Sequence, residues 1–271
     1  MNRKINTLYF SATGTTKKVV TEVANRVAND FKTTVKENDF TLPGAREKAL
    51  SFTNKDVVVV GVPVIAGRVP NVLLKCLNSI KGNNALAIAV VVYGNRNYDD
   101  ALIELKDILE SDGLKVIAGG AFIGEHSFSK ILAQNRPDEK DMTIVNDFAQ
   151  SIYNKLTAQD SIQPVIVKGN KPYRDYYKPR DKYGNFFNFR KITPKTNMDD
   201  CTDCKLCVDI CPMGSIDFED VSKLNGICIK CCACIKKCPT EARYFDDENF
   251  LKHKRELEIE FTYRREPELF V

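Results

Sequence analysis

The chain has 271 residues, of which 43% are hydrophobic and 28% charged, a composition typical of a globular protein with room for one medium and one small domain. Its formal net charge of +4 is too small to indicate a polyanionic partner, and no run of about 18 apolar residues predicts a membrane span. The first residues lack the apolar core of a signal peptide, so we expect a cytoplasmic protein with no membrane partner.

The first part of the chain alternates predicted strands with predicted helices. Two nearly continuous apolar runs, Asp56–Val62 and Ala85–Tyr93, are typical of central strands in a parallel sheet that is covered on both faces. The pattern predicts a doubly wound α/β domain that ends near residue 160. The other predicted strands are Ile5–Phe10, Thr33–Phe40 and Lys115–Ile123, and the predicted helices are Thr16–Phe31, Asn71–Ile80, Asp99–Ser111 and Glu139–Leu156.

A hydroxyl-rich turn joins the first strand to the first helix. It reads Ser11-Ala12-Thr13-Gly14-Thr15-Thr16. Backbone N–H groups and hydroxyls at the start of a helix form a site suited to a phosphate. The spacing of a Walker A loop is missing, and only one glycine of a Rossmann fingerprint is present. Simple capping of the helix by Ser or Thr is the alternative explanation.

Residues 161–195 have no regular pattern of hydrophobicity. They contain four prolines, nine Lys or Arg and only two acidic residues, with seven aromatic residues interleaved. A freely flexible linker would be poor in aromatic residues, so we predict a connector that packs on one or both domains. Such a composition can also bind single-stranded nucleic acid, which we do not expect here, or attract an acidic redox partner.

Nine of the ten cysteines lie between Cys201 and Cys238. Eight of them form two runs with the spacing C-x2-C-x2-C-x3-C-P, and the second run repeats the first with an offset of 27 residues, from Cys201 to Cys228. This spacing is typical of [4Fe–4S] ligation, in which the fourth cysteine of each run binds the other cluster. The alternatives fit less well, because zinc sites usually use two C-x2-C pairs and disulfides are not expected without an export signal.

The cysteine segment resembles the bacterial two-cluster ferredoxins over about 45 residues. The resemblance implies a small α+β domain with two [4Fe–4S] clusters. Cys232 lies outside the ligand spacing; it could replace a ligand or tune a cluster, but we interpret it, like Cys76, as a small apolar residue. The implied ligands are Cys201, Cys204, Cys207 and Cys238 for one cluster (the first set) and Cys228, Cys231, Cys234 and Cys211 for the other (the second set).

The hydroxyl-rich turn and the alternation around it resemble the flavodoxins, which bind FMN. The resemblance implies a sheet of order 2-1-3-4-5 with the flavin at the carboxyl ends of the strands. Residues Ser11, Thr13, Gly14, Thr15 and Thr16 would then bind the phosphate. The flavin ring would lie between one loop formed by Pro63, Val64, Ile65, Ala66 and Gly67, and another formed by Tyr93, Gly94, Asn95, Arg96, Asn97 and Tyr98.

A few side chains near the implied ring have more than one interpretation. Tyr93 or Tyr98 would stack on the flavin, since the first loop offers only aliphatic side chains. Arg68 and Arg96 would favour the reduced, anionic flavin or else be solvated. His126 or Tyr98 would supply a proton, although a structural hydrogen bond is the more ordinary role for such a histidine.

The two halves together resemble the flavodoxin–ferredoxin fusion proteins of anaerobic bacteria and archaea over nearly the whole chain. The resemblance implies a flavodoxin-like domain (1–160), a basic aromatic-rich connector (161–195), a ferredoxin domain (196–250) and a charged tail (251–271). It implies electron transfer between FMN and two [4Fe–4S] clusters, linking one- and two-electron redox partner proteins. We expect a carrier, with a flavin-dependent reductase of a small substrate as the alternative, and the sequence leaves a homo-oligomer open.

Overall fold

The computed structural model describes residues 3–158 and 161–271. In this part of the chain the strands form one six-stranded sheet, of order β2-β1-β3-β4-β5-β8, and one two-stranded sheet, β6-β7. Strands β1 to β5 run parallel, and β8 is antiparallel to β5. The predicted order 2-1-3-4-5 is therefore confirmed. The strands are β1 (Lys4–Tyr9), β2 (Val35–Lys36), β3 (Asp56–Pro63), β4 (Leu86–Tyr93), β5 (Lys115–Ile123), β6 (Lys195–Thr196), β7 (Arg243–Tyr244) and β8 (Glu268–Phe270).

Helices cover both faces of the large sheet. The helices are α1 (Thr15–Asp30), α2 (Leu74–Leu77), α3 (Ala101–Ser111), α4 (Glu139–Thr157), α5 (Leu206–Asp209), α6 (Ala233–Lys236) and α7 (Glu248–Glu260), with 3-10 turns at Pro43–Glu47, Asn71–Leu73 and Phe189–Lys191. One core lies between the sheet and α1 with α4, and a second core lies between the sheet and α2 with α3. Because β3 sends Val57 and Val59 to the first core and Val58 and Val60 to the second, its sequence is apolar throughout.

Two predicted elements are shorter in the structure. The predicted strand Thr33–Phe40 forms a ladder at Val35–Lys36 and one isolated bridge from Asp39 to Tyr9. Between them the Asn38 side chain donates to the Thr7 carbonyl oxygen (2.8 Å), where the edge becomes irregular. The predicted helix Asn71–Ile80 is a 3-10 turn followed by the single turn of α2.

The connector packs on the first domain, as its aromatic content predicted. The buried Asp100 carboxylate, at the start of α3, accepts hydrogen bonds from the backbone N–H groups of Asn170 and Arg174 (2.9 and 2.7 Å). Further upstream, the Val165 N–H donates to the Val116 carbonyl oxygen (2.9 Å), and Val165 and Val167 enter the second core. The connector is therefore held by specific contacts along its first half.

The repeat seen in the cysteine segment is also a repeat of backbone conformation. The single-turn helices α5 and α6 begin 27 residues apart, at Leu206 and Ala233. Three pairs of residues with the same offset have positive φ angles between 52° and 59°. These pairs are Asp203 and Lys230, Lys205 and Cys232, and Gly214 and Glu241. The two halves of this domain thus share one local fold, and Cys232 occupies the turn position that Lys205 has in the first half.

The residues assigned to a charged tail return to the first domain. Helix α7 ends at Glu260, and β8 then pairs with Gly119–Ala121 of β5 as a sixth strand. On the way, the Asn95 side chain donates to the carbonyl oxygens of Phe261 and Tyr263 (2.7 and 2.8 Å). Across the described chain, no helix combines the length and apolarity that crossing a bilayer requires.

Candidate redox centres

The loop between β1 and α1 presents backbone N–H groups that lack protein partners. Gly14 has a φ of 103° and precedes the first helical residue, Thr15. Within the described chain, no group accepts a hydrogen bond from the N–H of Thr13, Gly14, Thr15 or Thr16. The N-cap residue is Gly14, which has no side chain to cap the helix, and the first turn of α1 has no acidic residue. Free donors at the positive end of a 16-residue helix suit a phosphate dianion.

Hydroxyl groups fix the ends of this loop. The Ser11 Oγ accepts the Lys17 N–H (2.9 Å), so capping by a hydroxyl explains one donor of the first turn. The Thr41 Oγ1 accepts the Ser11 N–H (2.8 Å). A Cβ at Gly124 would lie 3.1 Å from the Thr15 Oγ1, so a glycine lets the end of β5 approach the loop. The loop is thereby shaped before any ligand arrives.

The first loop predicted beside the flavin ring is a tight hairpin turn after β3. Ile65 and Arg68 exchange two backbone hydrogen bonds of 3.1 and 3.2 Å, and Ala66 and Gly67 between them both have positive φ. The Tyr177 N–H donates to the Ala66 carbonyl oxygen (2.9 Å). The connector therefore reaches this loop directly.

Arg68 is neither solvated nor free to face a ligand. Its Nε and Nη2 donate to the buried Glu104 carboxylate, each at 2.7 Å. Its guanidinium also lies 4.8 and 5.0 Å from the ring centroids of Tyr173 and Tyr176 in the connector. Arg68 thus anchors the connector to α3, and no local sequence pattern predicted this pairing.

The tyrosines predicted to stack on the ring lie inside the protein. Tyr93 and Tyr98 are 4% and 5% exposed, and their rings pack together with centroids 5.6 Å apart. The Tyr98 hydroxyl donates to Glu268 of β8 (3.0 Å), and burial together with this bond raises the Tyr98 pKa. The exposed aromatic ring at these loops is Tyr177, whose ring lies 5.1 Å from the Arg96 guanidinium. In the sequence, only the aromatic content of the connector indicated that a residue such as Tyr177 would lie at these loops.

His126 lies against the second loop and is neutral at ordinary pH. A Cβ at Gly94 would be 2.5 Å from the His126 Cδ2, so the imidazole packs directly on this glycine. Its Nδ1 accepts the Phe128 N–H (3.1 Å). Burial, reinforced by the charge of Lys236, lowers the His126 pKa to about 3. This environment favours the structural role over the supply of a proton.

An aromatic bridge connects the first domain, the connector and α7. It consists of Phe128, Tyr177, Phe189, Phe250 and His253. Phe128 contacts Phe250 with ring centroids 4.9 Å apart, and Tyr177 stacks on His253 at 5.7 Å. The sequence could not predict this bridge, because its members are far apart in the chain and only the fold brings them together.

The second set of cysteines surrounds one small cavity. Cys211, Cys228, Cys231 and Cys234 all line a cavity of about 30 Å³, together with Cys232 and apolar residues such as Ile229. Burial raises the pKa of Cys231 to about 12 and that of Cys234 to about 11. Such thiols become thiolates only when a metal centre supplies positive charge.

The first set lies nearer the surface. Cys204 is exposed, and Cys201, Cys207 and Cys238 are half-buried. No three His, Cys, Asp or Glu side chains in the described residues lie close enough to bind a single metal ion. The assignment of the first set therefore rests on spacing alone and that of the second set on spacing and the cavity, and both stay predictions.

Arg243 is a buried cation beside both sets. It is 3% exposed, and its Nη1 donates to the Val221 carbonyl oxygen (2.6 Å) and lies 4.0 Å from the Cys207 Sγ. Its guanidinium also acts to lower the pKa of Cys234, against the effect of burial. Within the described chain its Nε and Nη2 are buried without an acceptor. Anionic cluster sulfur would satisfy these donors, so the site fits the group that the cysteine spacing implies.

The second set faces the first domain. Ala233 and Cys231 pack in or against the core that also contains Phe10 and Ala12, next to the phosphate loop. The Arg46 guanidinium lies 5.8 Å from the Phe10 ring centroid and donates to the carbonyl oxygen of Pro212, which follows Cys211. The interface between the domains thus joins the end of β1, through Phe10 and Arg46, to Pro212 beside Cys211.

Lys236 of α6 fastens this interface. Its Nζ donates to the carbonyl oxygens of His126 (2.8 Å) and Ser129 (3.0 Å) and forms an ion pair with Glu125. The remaining cysteines outside the two sets are packed: Cys76 lies in the core, and Cys232 is 5% exposed. Their interpretation as small apolar residues agrees with this burial.

One family model matches part of the chain. Residues 151–254 match the model of a family described as "4Fe-4S dicluster domain". No curated protein matches the chain.

Similar solved structures align with the first part of the chain. A flavodoxin from the domain Archaea is 16% identical, covers 57% of this chain and 99% of its own, and has a TM-score of 0.40. A flavodoxin from Fusobacterium nucleatum bound to flavin mononucleotide is 15% identical, covers 56% of this chain and 98% of its own, and has a TM-score of 0.38. Rubredoxin oxygen:oxidoreductase from Desulfovibrio gigas is 20% identical, with a TM-score of 0.41; the match covers 57% of this chain but only 37% of that protein.

The strand order and the family match together describe the architecture. A parallel sheet of order 2-1-3-4-5 with helices on both faces is the flavodoxin-like arrangement. The cysteine-rich segment follows it within the matched residues 151–254. The chain therefore has a flavodoxin-like α/β arrangement followed by a cysteine-rich segment that is similar to the family described as "4Fe-4S dicluster domain".

Proposed function

We propose that this protein transfers electrons between FMN bound at Ser11–Thr16 and two [4Fe–4S] clusters bound by the first and second sets. The observation that carries the proposal is the interface itself, where Cys231 and Ala233 share a hydrophobic core with Phe10 and Ala12, and Arg46 links Phe10 to Pro212. FMN exchanges one or two electrons and each cluster exchanges one, so a chain holding both links one- and two-electron partners. This chain contributes the binding sites, their spacing and the surrounding charges.

The order of the centres follows from burial. The second set lies at the domain interface, whereas Cys204 of the first set is exposed. We therefore assign the first set to the exchange of electrons with a partner, and the second set to the exchange with FMN. Residues 251–271 then connect the iron–sulfur domain to the large sheet through the end of α7 and β8.

Two surfaces of opposite charge suit two different redox partners. Residues 198–220, around the first set, contain seven acidic residues and one lysine, and Met198 and Phe218 among them are more than half exposed. A partner with a basic rim would dock there. The exposed Lys178, Arg180 and Lys182 of the connector would attract an acidic partner. Electron-transfer rates that do not change with ionic strength would argue against both surfaces.

Cofactor counts and reoxidation kinetics test the proposal. Protein purified without oxygen should contain about eight irons, about eight sulfides and one FMN. After reduction, it should pass electrons rapidly to a one-electron protein acceptor and only slowly to small molecules in stopped-flow experiments. Zinc in place of iron, or the absence of flavin, would contradict the proposal.

The order of the centres has its own test in Cys204→Ala. We expect iron to fall to about four per chain with FMN retained, and reduction of the flavin by a one-electron protein donor to slow at least tenfold. The neighbouring non-ligand Cys232→Ala is the matched control and should keep all its iron. An unchanged rate in the variant that has lost iron would show that electrons enter elsewhere.

No observation favours the reductase alternative. The Tyr98 hydroxyl is held by Glu268, and His126 is neutral with its Nδ1 occupied. Neither group is placed to give a proton to a substrate over the flavin. We therefore propose a carrier.

A further inference from the structure

Arg243 breaks the symmetry of the iron–sulfur domain. With the offset of 27 that relates the two halves, its counterpart is Ile216, a buried aliphatic residue. An arginine at 3% exposure therefore stands where the repeat needs only an apolar side chain. A buried cation is costly unless it is paired, so its presence calls for an anionic partner.

The hydrogen bonds of Arg243 within the protein use only some of the N–H donors of its guanidinium. Its Nη1 donates to the carbonyl oxygen of Val221 and to the Thr196 Oγ1 (3.0 Å). Its Nε and Nη2 have no acceptor among the described residues and are shielded from solvent. The cysteines it meets are Cys207 of the first set, whose Sγ lies 4.0 Å from its Nη1, and Cys234 of the second. The unpaired donors thus lie where two clusters would meet.

Other cations of this domain are placed differently. Lys230 is also buried, but its Nζ lies 3.4 Å from the carbonyl oxygens of Arg190 and Cys228 and over the Phe189 ring. Lys205 pairs with Asp203 near the surface. Arg243 is therefore the cation of this group that stands beside cysteines of both sets.

We infer that Arg243 is a shared counter-charge for the two clusters, donating hydrogen bonds to their sulfur and raising both reduction potentials together. This inference rests on the proposed function. Each electron added to a cluster adds one negative charge, and a fixed cation stabilises that charge more strongly in a buried site than in water. Because the cation is shared, it also lessens the repulsion that a first reduced cluster exerts on the second.

The test is a redox titration followed by EPR, with Arg243→Gln and Arg243→Lys. The glutamine variant removes the charge and most of the donors, whereas lysine keeps the charge. We expect the equilibrium constants for reduction of both clusters to fall at least tenfold in Arg243→Gln, which is about 59 mV for one electron. Arg243→Lys should show a smaller fall. Lys223→Gln, which removes a cation of the same domain that pairs with Asp220 at the surface, is the control and should leave both potentials unchanged.

The outcomes separate this inference from the proposed function. Wild-type protein with fewer than about eight irons contradicts the proposed function before Arg243 is considered. Full iron content with unshifted potentials in Arg243→Gln overturns the inference alone, as does a shift confined to one cluster. If Arg243→Gln loses iron and Arg243→Lys keeps it, the charge is required and the inference stands. Equal loss of iron from both variants overturns it, since the role of Arg243 would then be structural, through its hydrogen bonds to Thr196 and Val221.

Discussion

At the scale of single residues, both histidines of the chain lie near Phe128, and their surroundings set their charge. His126 packs on Gly94 and accepts the Phe128 N–H, and burial lowers its pKa to about 3. Burial lowers the pKa of His253 as well. A proton added to His126 would stand close to the Lys236 ammonium group. The protein therefore keeps this imidazole neutral.

We predict that His126 does not titrate in the folded protein between pH 5 and 8. In the unfolded chain its pKa is about 6.5, so below that pH the unfolded state binds a proton at this residue that the folded state does not bind. Stability therefore falls as the pH decreases from about 6.5 toward 3. Histidine side-chain NMR measures the titration, and His126→Asn identifies the signal. A midpoint near the ordinary value would show that the site admits a charge and would restore His126 as a candidate proton donor.

The sequence predicts the positions of these side chains in the fold better than it predicts their contacts. Arg68, Tyr98 and His126 do lie at or near the carboxyl ends of the strands, because loop positions follow from strand positions. Their partners, however, come from distant segments: Glu104 in α3 for Arg68, and Glu268 in β8 for Tyr98. No local pattern encodes such pairs, so the chemistry of a loop arginine or tyrosine could not be settled before the fold was known.

At the scale of elements, the junction of β1 and α1 was predictable because its signal is local. A strand, a hydroxyl-rich turn and an amphipathic helix follow one another within 30 residues, and Gly14 supplies the left-handed conformation between them. Strand β8 was not predictable. It has only three residues and acquires its place from the exposed edge of β5, to which it is antiparallel.

The junction gives a prediction for Gly14→Ala. A Cβ at this position meets no atom within 4 Å, but the φ of 103° is unfavourable for alanine, by about 1–2 kcal/mol. The turn should relax and its N–H groups should no longer converge, so FMN should bind at least tenfold more weakly. Flavin fluorescence during titration of the flavin-free protein measures this affinity.

Gly44→Ala is the matched control for this change. Gly44 also has no atom within 4 Å of an added Cβ, but it lies in the 3-10 turn Pro43–Glu47 without the left-handed conformation. Its alanine variant should bind FMN like the wild type. Equal affinities for both variants would mean that the loop is not the phosphate site.

At the scale of the whole molecule, three segments of the chain link its two halves. The connector runs over α3 and reaches the Ala66 turn, α7 joins the aromatic bridge, and β8 completes the large sheet. The sequence predicted the two domains because each has its own repeating pattern, of strands and helices in one and of cysteines in the other. The docking of one on the other depends on single side chains such as Lys236, for which no pattern exists.

Lys236 provides the test of this docking, because the adjacent Lys237 is exposed and serves as its control. In Lys236→Met the ion pair with Glu125 and the bonds to the His126 and Ser129 carbonyl oxygens are lost. The domains should then dock less firmly, and electron transfer between FMN and the clusters should slow at least tenfold with iron and flavin contents unchanged. Lys237→Met should transfer electrons at the wild-type rate. Rapid reduction of one centre followed by stopped-flow absorbance measures the internal step, and equal rates in both variants would mean that this contact does not hold the two centres together.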